Sequence, residues 1–138
     1  MWKLFAVLSA VFAALTSILA KVGIKGVDAN LATAIRTVVI VLMIWGIVFS
    51  TGAQAGIRSL TWQNLLFLIL SGAATGLSWL FYYKAIALAD VSQVAPIDKS
   101  SIVLTMLFAF LFLGERVSPK TLIAGGLIAA GTFVMLWK

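Results

Sequence analysis

The sequence predicts an all-α integral membrane protein of five transmembrane helices, and three observations carry that prediction. Apolar stretches of about 20 residues recur along the whole chain, each close to the ~30 Å of hydrocarbon that a helix rising ~1.5 Å per residue must cover. Of the 138 residues, 63% are hydrophobic and 10% charged, and the mean hydropathy is +1.16. A water-soluble domain of this size cannot hide so much apolar surface, so lipid is the solvent. Finally, the charged, Gly and Pro residues fall mostly between the stretches, as loops between spans require. An odd number of crossings puts the two termini on opposite sides of the membrane.

The first span reads as Trp2 to Val22. A cleaved signal sequence is the competing reading, but cleavage after Ala20 would put Ile18 where a small residue is needed, and the run is longer than a signal's apolar core. Gly23–Ala29 form a loop, and Asn30 is the expected N-cap of the second span, 31–50. Gly52, Gly56 and Arg58 mark a surface turn, after which Thr61 caps the third span, 62–83. Residues 84–90 read as a short link, with Ala85 to Ala89 able to prolong the helix. The fourth span, 91–113, stops at Gly114; Ser118 as N-cap and Pro119 at the first helical position open the fifth, 119–137. The whole, 1–138, reads as a single domain.

Cys and His are both absent. That excludes disulfides, thiolate or imidazole metal sites and Cys or His nucleophiles, and no cofactor or metal is expected. The formal charge of +6 would point to nucleic acid in a soluble protein, but these cations flank spans, so no nucleic-acid partner is expected. Trp2, Trp62, Tyr82, Tyr83 and Trp137 sit at span ends, as an interfacial belt does. Trp45 and Trp79 lie deeper, for packing or to line a cavity.

Small residues recur at helix-contact spacing: Gly72 and Gly76 in the third span, Gly125 with Ala129 and Gly126 with Ala130 in the fifth, and Ser9, Ala13 and Ser17 in the first. In lipid, helices associate through close packing that small residues permit. These positions serve contacts within one subunit or between subunits.

If the N-terminal side is A, it holds Lys3, Arg58, Arg116 and Lys120; side B holds Lys21, Lys25, Lys84 and Lys138. Four against four gives no orientation by the positive-inside rule, as a weak signal or insertion both ways would. Three further charges lie inside spans. Arg36, Asp98 and Lys99 sit about 8–9 Å in from the B face, where an ionisable group facing lipid alone is costly. Adjacent helical residues point about 100° apart, so Asp98 and Lys99 make a poor pair; Arg36 is the expected partner of Asp98, with Lys99 extending toward side B. Pro96 removes a helical hydrogen bond, pushes Ala95 toward extended geometry and frees the Ser92 carbonyl, leaving 92–101 as an interrupted, polar piece of helix. Such breaks are tolerated where they line a cavity, or serve as kinks for packing.

Several segments resemble one repeat of the EamA-type transporters of the drug/metabolite transporter superfamily: Ala34-Ile35-Arg36-Thr37, the run from Trp79 to Ala85, Val94-Ala95-Pro96-Ile97, and Phe112-Leu113-Gly114-Glu115-Arg116 followed by a Gly-rich fifth span. The resemblance covers the whole chain. Most members are similar to ten-helix proteins built from two five-helix repeats, the second inverted. One EamA-like repeat alone therefore implies a second copy of itself, or a paralogue, inserted the other way, in keeping with the balanced charge tally. The resemblance also implies a multi-pass protein of a prokaryotic cytoplasmic membrane that moves a small-molecule substrate by alternating access, as an antiparallel homodimer. The expected cavity residues are Arg36, Trp79, Tyr82, Tyr83, Pro96, Asp98 and Lys99, with Asp98 as proton carrier; Gly72, Gly76, Gly125, Gly126, Ala129 and Ala130 are the packing or dimer positions. Arg36 and Lys99 against Asp98 favour an anionic or zwitterionic substrate. Unlike the small multidrug exporters, the first span holds no acidic residue, which argues against their coupling mechanism. Glu115 reads as structural beside Arg116. The alternative is a non-transporting membrane subunit that serves another protein. An enzyme is not expected, since no acidic pair, His or Cys is available for catalysis.

Overall fold

In a computed structural model, residues 1–137 are described, and all their regular structure is helical. Lys138, expected at the end of the last span and in the B-side tally, lies outside the described residues. The elements are α1 (Trp2–Gly23), α2 (Ala29–Thr51), a 3₁₀ segment (Ala53–Ser59), α3 (Trp62–Leu88), α4 (Val91–Asp98), α5 (Ser101–Leu113) and α6 (Pro119–Leu136). Five stretches are long and apolar enough to cross a membrane, with α4 and α5 together forming the fourth, Val91–Leu113. The protein is thus an all-α membrane protein. Its outward faces agree: Phe5, Leu42, Phe67, Leu113 and Leu127 are all exposed by more than half of their surface, an arrangement that only hydrocarbon makes favourable.

Side-chain caps fix most helix starts. Asp28, rather than the expected Asn30, caps α2: its carboxylate accepts from the Asn30 and Leu31 amides at 2.9 and 3.1 Å. Carboxylate in this position also meets the positive end of the helix dipole. Thr61 accepts from the Asn64 amide at 3.1 Å, and Ser118 from Thr121 at 3.2 Å with Pro119 in the first turn. Gly114 ends α5 at φ 66°, a left-handed conformation that Gly adopts without a Cβ clash.

Two expected boundaries move. The third span does not stop at Tyr83 but runs unbroken to Leu88, because Ala85 to Leu88 are good helix formers with nothing to break the ladder. The fourth span is interrupted, but not where expected. Pro96 stays inside α4 and Ala95 stays helical; the break falls after Asp98, at Lys99–Ser100. There the backbone tightens, with Ser100 donating to Ile97, Ile102 to Lys99 and Val103 to Ser100. A proline lacks only its own amide bond, and the helix absorbs that loss before a three-residue-spaced turn ends it.

The chain divides into two compact units, Met1–Leu88 and Ala89 onward. In the first, α3 packs along α2 and also touches α1. Tyr82 donates to Ser17 Oγ at 2.7 Å, and Lys21 Nζ donates to the Ile86 carbonyl at 2.6 Å. Both pairs are offset by 65 residues; one turn further along α1 meets one turn further along α3, so these helices run parallel. In the second unit, α6 packs on both α4 and α5. Gly125 is the tight point: a Cβ there would lie 2.9 Å from Met106 Sδ. Thr132, on the same helix, donates to the Ile128 carbonyl at 3.0 Å and lies 3.4 Å from the Pro96 carbonyl, which can share that proton.

Gly125→Ala should therefore lower stability by about 1 kcal/mol, within the range for overpacking, and Met106→Ala in the same chain should remove that particular penalty. Reversible denaturation in detergent checks it: a non-additive pair is expected, and simple additivity would contradict the contact.

Candidate functional site

The first unit builds its polar centre on Arg36. Starting α2 at Ala29 places this residue seven positions in, roughly 10 Å along the helix and slightly deeper than a start at Leu31 would. Its guanidinium carbon lies 4.1 Å from the centre of the Trp79 ring and 5.6 Å from that of Tyr83. Trp79 and Tyr83 are four apart on α3 and therefore share a face. A cation over an indole is stabilised by about 0.5–2 kcal/mol, more when desolvated. Tyr83 is 5% exposed and Ile86, one turn on, is fully buried, so the α3 surface behind the arginine is rigid.

A cleft of about 380 Å³ opens beside this group, lined among others by Thr16, Ala20, Gly23, Ala32, Arg36 and Tyr83. Small residues on α1 and α2 leave the space. Its volume falls within the range of small-molecule sites. Two α1–α3 contacts brace the α1 wall. Tyr82 does not line the cleft; its hydroxyl goes to Ser17, which in turn donates back to the Ala13 carbonyl. Lys21 reaches one of the last carbonyls of α3, the negative end of that helix, where a cation is favoured.

The second unit holds the other expected site residues. Asp98 closes α4, and Lys99, its C-cap, bonds it at 3.2 Å. Adjacent helical residues were expected to make a poor pair, with Asp98 partnered from another helix. The structure gives Asp98 its own neighbour: the backbone is still helical at Lys99, whose amide bonds the Ala95 carbonyl, and the long, flexible Lys99 stem folds back to span the angle. Pro96 offers its carbonyl to Thr132.

The structure thus brings together Arg36, Trp79 and Tyr83 in one unit, and Pro96, Asp98 and Lys99 in the other. Among the packing positions, Gly125 is buried against Met106, while Gly72, Gly126 and Ala130 are exposed and Gly76 and Ala129 partly so. Sequence reasoning missed Thr16 and the two α1–α3 contacts. A signal was present: Ser17 and Lys21 are polar, four apart, and face Tyr82 and the end of α3 at one constant offset.

The model of the EamA-like transporter family matches residues 1–137. A protein of Sinorhizobium sp named an uncharacterized transporter in the cobO 3′ region is 46% identical over 134 residues, covering 97% of this chain and 95% of its own. No solved structure matches.

The α1–α3 brace yields a measurable coupling. Tyr82→Phe should cost about 1 kcal/mol, and the double variant no more than Ser17→Ala alone, since the Tyr82–Ser17 bond is lost in all three variants and the Ser17–Ala13 bond in both that lack Ser17. Unfolding in detergent reads the cycle; a zero coupling energy would show that the contact contributes nothing.

Proposed function

This chain belongs to the EamA-like transporter family, and from that premise we propose that it is a secondary transporter of small metabolites in the cytoplasmic membrane of a prokaryote, working by alternating access as an antiparallel homodimer. Its membrane-transporter character and its multi-pass architecture rest on the family match and on five apolar spans. One observation carries the finer reading. The family model covers five spans, an odd number, and the Sinorhizobium relative is matched over 95% of its own length by the same stretch, so an inverted second copy would supply the opposing half of a cavity. The balanced flanking charges support insertion both ways. We treat the five helices as one functional domain.

In this reading, two opposed copies surround a central cavity and rock to expose it to each side in turn. Arg36 and Tyr83 contribute through the cleft of the first unit, Trp79 stands against Arg36 without lining the cleft, and Tyr82 holds the α1 wall. Pro96, Asp98 and Lys99 contribute a polar helix break, the kind of irregular backbone that membranes tolerate against a cavity. Asp98 is the carboxylate assigned to proton carriage, with Lys99 as its counter-charge. The exposed small residues of α3 and α6, Gly72, Gly126 and Ala130, with the partly exposed Gly76, offer surfaces on which a second copy can approach closely.

Proteoliposomes loaded with a metabolite extract and assayed by mass spectrometry should show saturable exchange of at least one solute. Folded protein that exchanges nothing, and that co-purifies with another membrane protein, would point instead to a non-transporting subunit. With a transported solute in hand, Asp98→Asn should abolish stimulation by a proton gradient; unchanged stimulation would remove Asp98 from the mechanism.

A further inference from the structure

Arg36 sits about 10 Å into a span, over an aromatic ring and with no hydrogen bond to a described residue of its unit. Its guanidinium carbon lies over the indole of Trp79, 4.1 Å from the ring centre. A guanidinium carries five N–H donors in its own plane, none of which a ring stacked on the face can satisfy. Among the described residues of the same unit, no carboxylate or carbonyl accepts from them. Donors left without an acceptor at this depth are costly, and the cleft onto which this side chain opens is wide enough for a small solute. Lys21, the neighbouring cation on α1, is turned instead to the Ile86 carbonyl.

We propose that Arg36 is the receptor for a carboxylate or phosphate group on the transported solute, with Trp79 as the positioning residue stacked behind it. The planar N–H fork matches the two oxygens of such a group, and the indole holds the fork in one orientation without competing for its donors. Thr16 and Tyr83 stand on the rim of the same cleft, while Ala20, Gly23 and Ala32 give the body of the solute an apolar wall. The inference rests on the transporter reading and narrows it to anionic or zwitterionic solutes.

The chain has three arginines, Arg36, Arg58 and Arg116, so protein labelled with ¹⁵N-arginine gives a small set of side-chain Nε–H signals that single Arg→Lys variants assign. Embedded in neutral phosphatidylcholine nanodiscs, it is titrated with benzoate, inorganic phosphate and benzamide. The Arg36 signal should shift saturably with one or both anions and not with benzamide, while Arg58 and Arg116 stay put. Trp79→Leu should weaken that binding roughly three- to thirtyfold, and Trp79→Phe, which keeps a ring, should restore most of it; unchanged Arg58 and Arg116 signals certify the fold of both variants. No saturable shift, an equal response to benzamide, or a uniform response of all three arginines overturns the proposal. So does an Arg36 signal already displaced in phosphatidylglycerol discs and indifferent to added benzoate and phosphate, which would make the occupant a lipid headgroup. Vesicles that exchange only neutral or cationic solutes would sink this assignment and leave the transporter reading standing. Anion binding at Arg36 in a protein that exchanges nothing would sink the transporter reading and leave the anion receptor.

Discussion

Hydrocarbon offers no hydrogen-bond partner, so every polar group placed in it must be satisfied by the chain itself. The rest of this structure follows from that constraint. The spans are helices because helices alone close their own backbone ladder within a segment. The hydroxyls follow suit: Thr33, Thr37, Thr75 and Thr105 each donate to the carbonyl four residues back. Among the described residues, no buried side-chain polar atom lacks a partner.

The same constraint makes the exceptions informative. Ionisable groups at this depth need an opposing charge, an aromatic face or an exposed carbonyl, and each found a different one. Lys21 reaches the end of α3, Asp98 takes Lys99, and Arg36 lies on Trp79. The backbone break at Lys99–Ser100 lies beside one of these groups and a cleft walled by small residues beside another. The residues that satisfy charge at depth are also those that shape the two polar regions.

Span number and type were legible because a run of about 20 apolar residues has few alternatives. Terminator chemistry was legible too, at Thr61, Gly114, Ser118 and Pro119. Asn30 and Asp28 were not separable by pattern, since both are good caps and only the register of the first turn chooses between them. Proline marked the irregularity in the fourth span without locating it; the ladder carried on for two residues past Pro96, where local tightening at Lys99–Ser100 decided the break. In the site, the depth of Arg36 was readable from its position, but its partner was not. Charge complementarity favoured a carboxylate, whereas stacking on Trp79 depends on how α2 and α3 lie against each other, which periodicity does not encode. Asp98 and Lys99 were misjudged as a pair because the long Lys99 stem spans the angle that separates adjacent helical residues.

The proposed functional unit, two copies of the chain in opposite orientations, draws its support from an odd number of described spans, a balanced set of flanking cations and a family match covering those spans. The chain has no cysteine, so a single cysteine placed at Lys3 or at Trp137 is a clean reporter. In intact cells, a membrane-impermeant maleimide should label roughly half of each variant, and permeabilisation should complete both. Full labelling of one terminus with none at the other would contradict the account.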